Sequence, residues 1–212
     1  MQNLPFDLQT LVIALTVLAT ATMAVTGVMQ ALRHGFDPLG AGVLALITAV
    51  GGGTVRDLLL GATPVFWIND LIYVGTVIPV VIISYLFARQ LRAGNGRRER
   101  VINYIDAIGL ALFTILGVQK SLTFDVHPVI SILMGCITGI AGGIIRDILC
   151  GEKPVVLRQD LYATLSLAGG ALLLVLLHFL PASPSFLITF FAILISRVWV
   201  IRHGIALPKT EQ

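Results

Sequence analysis

Gly51-Gly52-Gly53-Thr54-Val55-Arg56-Asp57 is the stretch on which the reading of this chain turns. Three glycines and an adjacent charged pair interrupt an apolar run of membrane length. The same device returns in the second half as Ala141-Gly142-Gly143-Ile144-Ile145-Arg146-Asp147. Residues 46–71 and 136–161 align without a gap. They share Thr48/Thr138, Gly52/Gly142, Arg56/Arg146, Gly61/Gly151, Pro64/Pro154 and Asp70/Asp160. The register extends back to Gly27/Gly117 and Pro38/Pro128. This is an internal duplication, not a chance motif.

Composition sets the class. Of 212 residues, 57% are hydrophobic and 12% charged, and the mean hydropathy is +0.95. A soluble globule of this size could not hide so much apolar surface, so the chain reads as a polytopic membrane protein. Cys136 and Cys150 lie in or near apolar runs, with no metal spacing and no disulfide framework. The first apolar run has no basic residue before it and no small-residue cleavage site after it. It is expected to be a retained helix.

Seven segments are long enough to span at roughly 20 residues each. They lie near 8–32, 39–60, 71–89, 101–122, 128–149, 160–180 and 186–202. Pro181 to Ser185 are expected to form the connection to the last. Three spans per repeat is an odd number, so the second repeat must enter the membrane the other way up. The expected fold is an all-α membrane protein. Its seven transmembrane helices form two inverted three-helix repeats, residues 1–91 and 101–182, joined by a basic linker, 92–100. An extra C-terminal helix and tail occupy 183–212.

Loop charges suggest an orientation. One side carries Arg33, Arg89, Arg92, Arg97, Arg98, Arg100, Lys153, Arg158, Arg202 and Lys209. The other carries little beyond Lys120, Asp7, Asp70 and Asp125. The positive-inside rule then puts the N-terminus outside and the C-terminus in the cytoplasm. The basic linker is better read as this topology signal than as a nucleic-acid or anionic-lipid patch.

The glycines and arginines carry the functional expectation. Each mid-helix glycine costs about 1 kcal/mol relative to alanine. Consecutive ones at Gly51, Gly52, Gly53, Gly142 and Gly143 therefore predict a kink or break. Carbonyls freed there suit a cation, and amides suit an anion or carboxylate. The alternative is that the glycines only allow close helix packing. Arg56 and Arg146 follow within a turn. An arginine at membrane depth costs at least about 2.5 kcal/mol unless it faces a bundle interior or wet cavity. Arg56 and Asp57 are sequence neighbours about 100° apart on a helix, so pairing with each other is not expected. Asp106 is a candidate partner; its aligned position in the first repeat is Thr16. Thr48 and Thr138, one turn before the glycines, are candidate oxygen ligands. Thr16, Thr20, Thr22, Thr26, Thr114 and Gln119 are further polar residues within spans, and most such threonines satisfy their own backbone. Lys120, aligned with Gln30, either snorkels to the interface or gates an opening. His34, His127, His178 and His203 lack metal-ligand spacing. No nucleophile elbow, P-loop or dinucleotide fingerprint is present, so no enzyme is expected.

The stretches Gly51-Gly-Gly-Thr-Val-Arg-Asp-Leu-Leu-Leu-Gly61, Pro64-Val-Phe-Trp-Ile68 and Gly142-Gly-Ile-Ile-Arg-Asp-Ile-Leu149 resemble the bacterial TRIC-like family. That family is related to trimeric intracellular cation channels, and some bacterial members are described as glycine transporters. The resemblance implies a homotrimer in the bacterial inner membrane. Each protomer would hold a pore lined by its first, second, fourth and fifth helices, the second and fifth bending at Gly51–Gly53 and Gly142–Gly143. Bacterial members commonly have an aspartate in the first helix, where this chain carries Thr16. The eukaryotic channels place a basic residue of the fourth helix near a phosphoinositide; Lys120 is the nearest match, so a bound lipid is an open expectation. No cofactor or resident metal is implied.

Three functions follow. The first is a K⁺ channel, with Na⁺ also admitted. Here Arg56, Arg146 and Lys120 shape or gate the path. Their repulsion of a cation is met only if the arginines are paired with Asp57, Asp106 or Asp147. The second is a transporter of a small zwitterion such as glycine. The third is a membrane protein without flux.

Overall fold

A computed structural model of the chain describes residues 6–88, 95–158 and 161–205. Arg89, Arg92, Asp160 and Lys209 lie outside the described residues. The described chain is helical throughout, in the order α1 (Phe6–Arg33), α2 (Pro38–Leu59), α3 (Ile72–Ala88), α4 (Asn95–Leu122), α5 (Pro128–Leu149), α6 (Val155–Arg158), α7 (Ala163–Phe179) and α8 (Ala182–His203). Five of these, α1, α2, α4, α5 and α8, are long and apolar enough to cross a membrane. The expected third and sixth spans are shorter: α3 and α7 have 17 residues each, the lower end of what a bilayer needs.

Several boundaries differ from the expectation. α4 begins at Asn95, so residues 95–100 of the expected linker are helix. Arg and Glu are good helix formers, and the helix continues past its apolar span. The connection expected at Pro181–Ser185 shrinks to Leu180–Pro181, because α8 already starts at Ala182. A short helix, α6, stands between α5 and α7 where the sequence showed no separate element.

The starts of α2 and α5 repeat one design. Asp37 caps α2, its Oδ1 accepting from Gly40 N–H at 2.6 Å, with Pro38 as first helical residue. His127 caps α5, Nδ1 accepting from Val129 N–H at 3.3 Å, with Pro128 next. Proline suits this position because its missing N–H would be unpaired there anyway. The ends repeat as well. Gly61 and Gly151 follow the two helices with φ of 68° and 69°, in the left-handed region that alanine enters at a cost of roughly 1–2 kcal/mol. Gly61→Ala and Gly151→Ala should each lower the unfolding midpoint by about 2–8 °C, at ~2–4 °C per kcal/mol for a chain of this size. Gly75→Ala in α3, with open space at the Cβ position, should leave it unchanged or raise it. Differential scanning fluorimetry in detergent reads the difference.

Packing carries the duplication into three dimensions. In the first repeat Gly27 of α1 lies against Ala45 and Thr48 of α2. In the second, Gly117 of α4 lies against Gly135 and Thr138 of α5. Each of these residues aligns with its counterpart. α4 is central, with Leu110, Ala111, Leu112 and Ile115 at most 1% exposed. Large apolar side chains such as Leu39, Leu71, Ile82, Leu86 and Trp199 stand on the outside, the arrangement expected where lipid is the solvent.

One end of the bundle gathers charge. Glu152 Oε1 takes Arg33 at 3.2 Å and His34 Nε2 at 3.2 Å, and its other oxygen lies 3.6 Å from Arg158. Residues expected on the basic side therefore meet at one end: Arg33 at the end of α1, and Arg158 in the connection after α5.

Candidate functional site

The glycines do not break the helices: α2 and α5 each run on through Gly51, Gly52, Gly53, Gly142 and Gly143. The physical reason is reciprocal. A Cβ on Gly52 would run into the Thr138 carbonyl, and a Cβ on Gly142 into the Thr48 carbonyl. Each helix thus presses a backbone carbonyl into the space the other helix's glycine leaves open. The propensity cost of glycine is met by close approach, the small-residue packing common between membrane helices. Thr48 and Thr138 are 1% exposed, and their hydroxyls donate to Leu44 O (2.6 Å) and Met134 O (2.5 Å) of their own helices. They belong to this seam, and neither borders the cavity described below.

The expectation that Arg56 would not pair with its neighbour Asp57 is overturned. Arg56 Nε donates to Asp57 Oδ1 at 2.8 Å, with a second nitrogen at 2.7 Å. Arg146 treats Asp147 Oδ1 alike, at 2.9 Å for both nitrogens. The 100° offset governs where the Cβ atoms point, but an arginine side chain is long enough to wrap back. Each aspartate's second oxygen accepts a backbone N–H from the following connection: Phe66 N to Asp57 at 2.9 Å, and Val155 N to Asp147 at 2.9 Å. The Arg–Asp pair therefore ties the end of each long helix to the chain that follows it.

Beyond this shared core the two clusters diverge. Arg146 is 2% exposed. Its remaining nitrogen donates to Asp106 Oδ1 at 2.9 Å and to Thr26 Oγ1 at 2.9 Å. Asp106, 3% exposed, accepts from the Tyr162 hydroxyl through its other oxygen. Arg197 of α8 stacks on the Tyr162 ring, 4.6 Å from its centroid. Two arginines and two aspartates thus balance in a sealed group. Asp106 was foreseen as a partner. Tyr162 and Arg197 were not, although an arginine in the middle of an apolar helix is itself a signal.

Arg56 has less. Besides Asp57 it meets the Phe66 ring, 5.5 Å from its centroid. It borders a cavity of about 40 Å³ whose lining includes Thr16, Tyr73, Gln119 and Lys120. That is room for about three waters. Lys120 also reaches over Phe124, 5.4 Å from the ring centroid, and no carboxylate lies within 4 Å of it among the described residues. The cavity is built from α1, α2, α3 and α4; α5 does not border it. Thr16 stands in the first half of α1, about 25 Å at 1.5 Å per residue from Arg33 at its end. The cavity therefore lies away from the Glu152 cluster.

All-helical membrane packing, doubled helix pairs and two buried Arg–Asp clusters define a membrane protein made of two like halves. The comparisons agree. One family model, described as Glycine transporter, matches twice, at residues 13–89 and 103–178. A UPF0126 membrane protein of Vibrio cholerae is 43% identical over 89% of this chain and 78% of its own length. The UPF0126 inner membrane protein YadS of Escherichia coli K12 is 40% identical over 76% of each chain. Among solved structures, the TRIC trimeric intracellular cation channel orthologue from Rhodobacter sphaeroides superposes with a TM-score of 0.86 at 37% identity, covering 92% of this chain and all of that one. A prokaryotic TRIC channel solved in 0.5 M KCl gives 0.87 at 26% identity, covering 94% of this chain and 100% of that one. The chain belongs to the TRIC-like family whose model is described as Glycine transporter.

Proposed function

We propose that the chain is a TRIC-type cation channel, passing K⁺, with Na⁺ also admitted, through each protomer of a homotrimer in a bacterial inner membrane. The observation that carries this is the pairing of the motif arginines. Arg146 is matched by Asp106 and Asp147, and Arg56 by Asp57. The objection that two buried arginines would repel a cation is thereby reduced to Lys120. Likeness to solved cation channels over nearly the whole chain supports the same reading. In it, two three-helix repeats lie inverted in the membrane, with α8 as the extra seventh span, the N-terminus outside and the C-terminus in the cytoplasm. The Glu152 cluster is then at the cytoplasmic end and the Arg56 cavity at the outer end. Membrane lipid is the surrounding partner. The reading needs no cofactor and no chemical step.

A second reading, a transporter of a small zwitterion such as glycine, is favoured by one specific observation. The α2–α5 seam is closed by backbone carbonyls against Gly52 and Gly142, and the Arg56 cavity reaches Gly53, next in sequence to that closure. Inverted repeats around such a constriction suit alternating access. Liposomes separate the two. The channel reading expects a K⁺-diffusion potential and single-channel currents without saturable labelled-glycine uptake. Saturable uptake with no current would replace it with the transporter, and neither signal would remove both.

A further inference from the structure

The two Arg–Asp clusters share one frame, and the first lacks the Asp106 carboxylate, the Thr26 hydroxyl and the Arg197 guanidinium of the second. Arg56 repeats Arg146, Asp57 repeats Asp147, and the Phe66 amide does for Asp57 what the Val155 amide does for Asp147. Tyr73 borders the Arg56 cavity, one position off the gapless alignment in the same way that Phe66 is offset from Val155. It corresponds to Tyr162. Of the absent parts, the carboxylate is the one that joins the arginine to the tyrosine. Asp106 receives Arg146 and the Tyr162 hydroxyl on its two oxygens. The aligned residue in the first repeat is Thr16, and Thr16 borders the cavity with Arg56 and Tyr73.

We propose that this cavity binds a small monocarboxylate from solution, seated where the second repeat holds the Asp106 side chain. Its two oxygens would face the free edge of the Arg56 guanidinium and the Tyr73 hydroxyl. Three observations converge. Arg56 is 6% exposed, and among the described residues its hydrogen bonds go to one oxygen of Asp57. A guanidinium is suited to two-point recognition of carboxylates. The charges bordering the cavity, Arg56 and Lys120, exceed the one from Asp57 by one positive charge. The volume of about 40 Å³ suits an anion the size of formate, with three non-hydrogen atoms, and glycine, with five, tests the upper limit of size. A free monocarboxylate and the carboxylate of a small amino acid share this chemistry. The inference concerns binding, and it stands whether the chain is a channel or a carrier.

The test uses the full chain in detergent and equilibrium dialysis with [¹⁴C]formate and, separately, [¹⁴C]glycine. No gradient is present, so a failed flux assay and a failed binding assay are distinguishable. Saturable binding of one ligand per chain is expected. Thr16→Asp supplies the missing carboxylate from within and should weaken binding at least tenfold. Thr16→Ser should stay within about twofold of wild type. Should the aspartate variant misfold on gel filtration, Arg56→Gln takes its place and should lose binding to the same degree. Formate binding that follows this pattern assigns the site to free monocarboxylates. Glycine binding alone that follows it assigns the site to amino acids. No saturable binding of either probe by wild type, or binding that Thr16→Asp and Arg56→Gln leave intact, overturns the proposal.

Discussion

Arg146→Ala is expected to lower the unfolding midpoint in detergent by roughly 6–20 °C. Removing one partner of a buried ion pair typically costs about 3–5 kcal/mol, at ~2–4 °C per kcal/mol for a chain of this size. The loss belongs at the top of that range. Truncation strands two carboxylates, Asp106 at 3% exposed and Asp147 at 1%. It also removes the donor to Thr26. Arg56→Ala is the internal control. It strands one carboxylate, Asp57, where Arg146→Ala strands two, so a smaller cost of about 1–3 kcal/mol is expected. The double variant Arg146→Ala with Asp106→Asn should recover part of the loss, because neighbours in one network are not additive. Equal midpoints for Arg56→Ala and Arg146→Ala would remove the distinction between a sealed cluster and an open one. Measured as flux, both changes should exceed that of Arg98→Ala.

Much of this architecture could be read from the chain, and the misses have identifiable causes. Apolar runs bounded by prolines and charges located α2 and α5 to within a residue, because a membrane helix must satisfy its own backbone and cannot fade gradually. Asp106 was legible as a lone acid within a span, since such a charge must find a partner. The Arg56–Asp57 pairing was not legible, because a helical wheel describes Cβ directions and ignores the reach of a guanidinium. Tyr73 and Tyr162 escaped for another reason. A gapless alignment sets Tyr162 against Ile72, and only the folded connection shows that Phe66 and Tyr73 both slip by one. Arg197 has no counterpart in the duplication, so comparing the halves never pointed to it.

The glycines supply the last expected result. Sequence reasoning leaves a kink or break and close helix packing both open for Gly51–Gly53 and Gly142–Gly143, and does not tell the five positions apart. The geometry divides them by what the new methyl group would meet. At Gly52 and Gly142 it meets a carbonyl of the opposite backbone, which moves only if the two helices separate. At Gly53 it meets the Phe66 ring, and at Gly51 the tip of Ile145, 3.0 Å away; side chains can turn aside. At Gly143 the nearest atom outside its own helix backbone is 3.6 Å away, an ordinary contact. Gly52→Ala and Gly142→Ala should therefore lose about 1–3 kcal/mol to overpacking, or roughly 2–12 °C. Gly143→Ala should be neutral or gain up to about 1 kcal/mol from helix propensity, and Gly51→Ala and Gly53→Ala should fall between. The pair Gly52→Ala with Gly142→Ala is the sharper measurement. Each carbonyl lies beside the glycine of the other helix, so once the first methyl has forced the seam apart the second should cost less. A double variant as damaging as the sum of its parts would mean that the two sites do not share one seam.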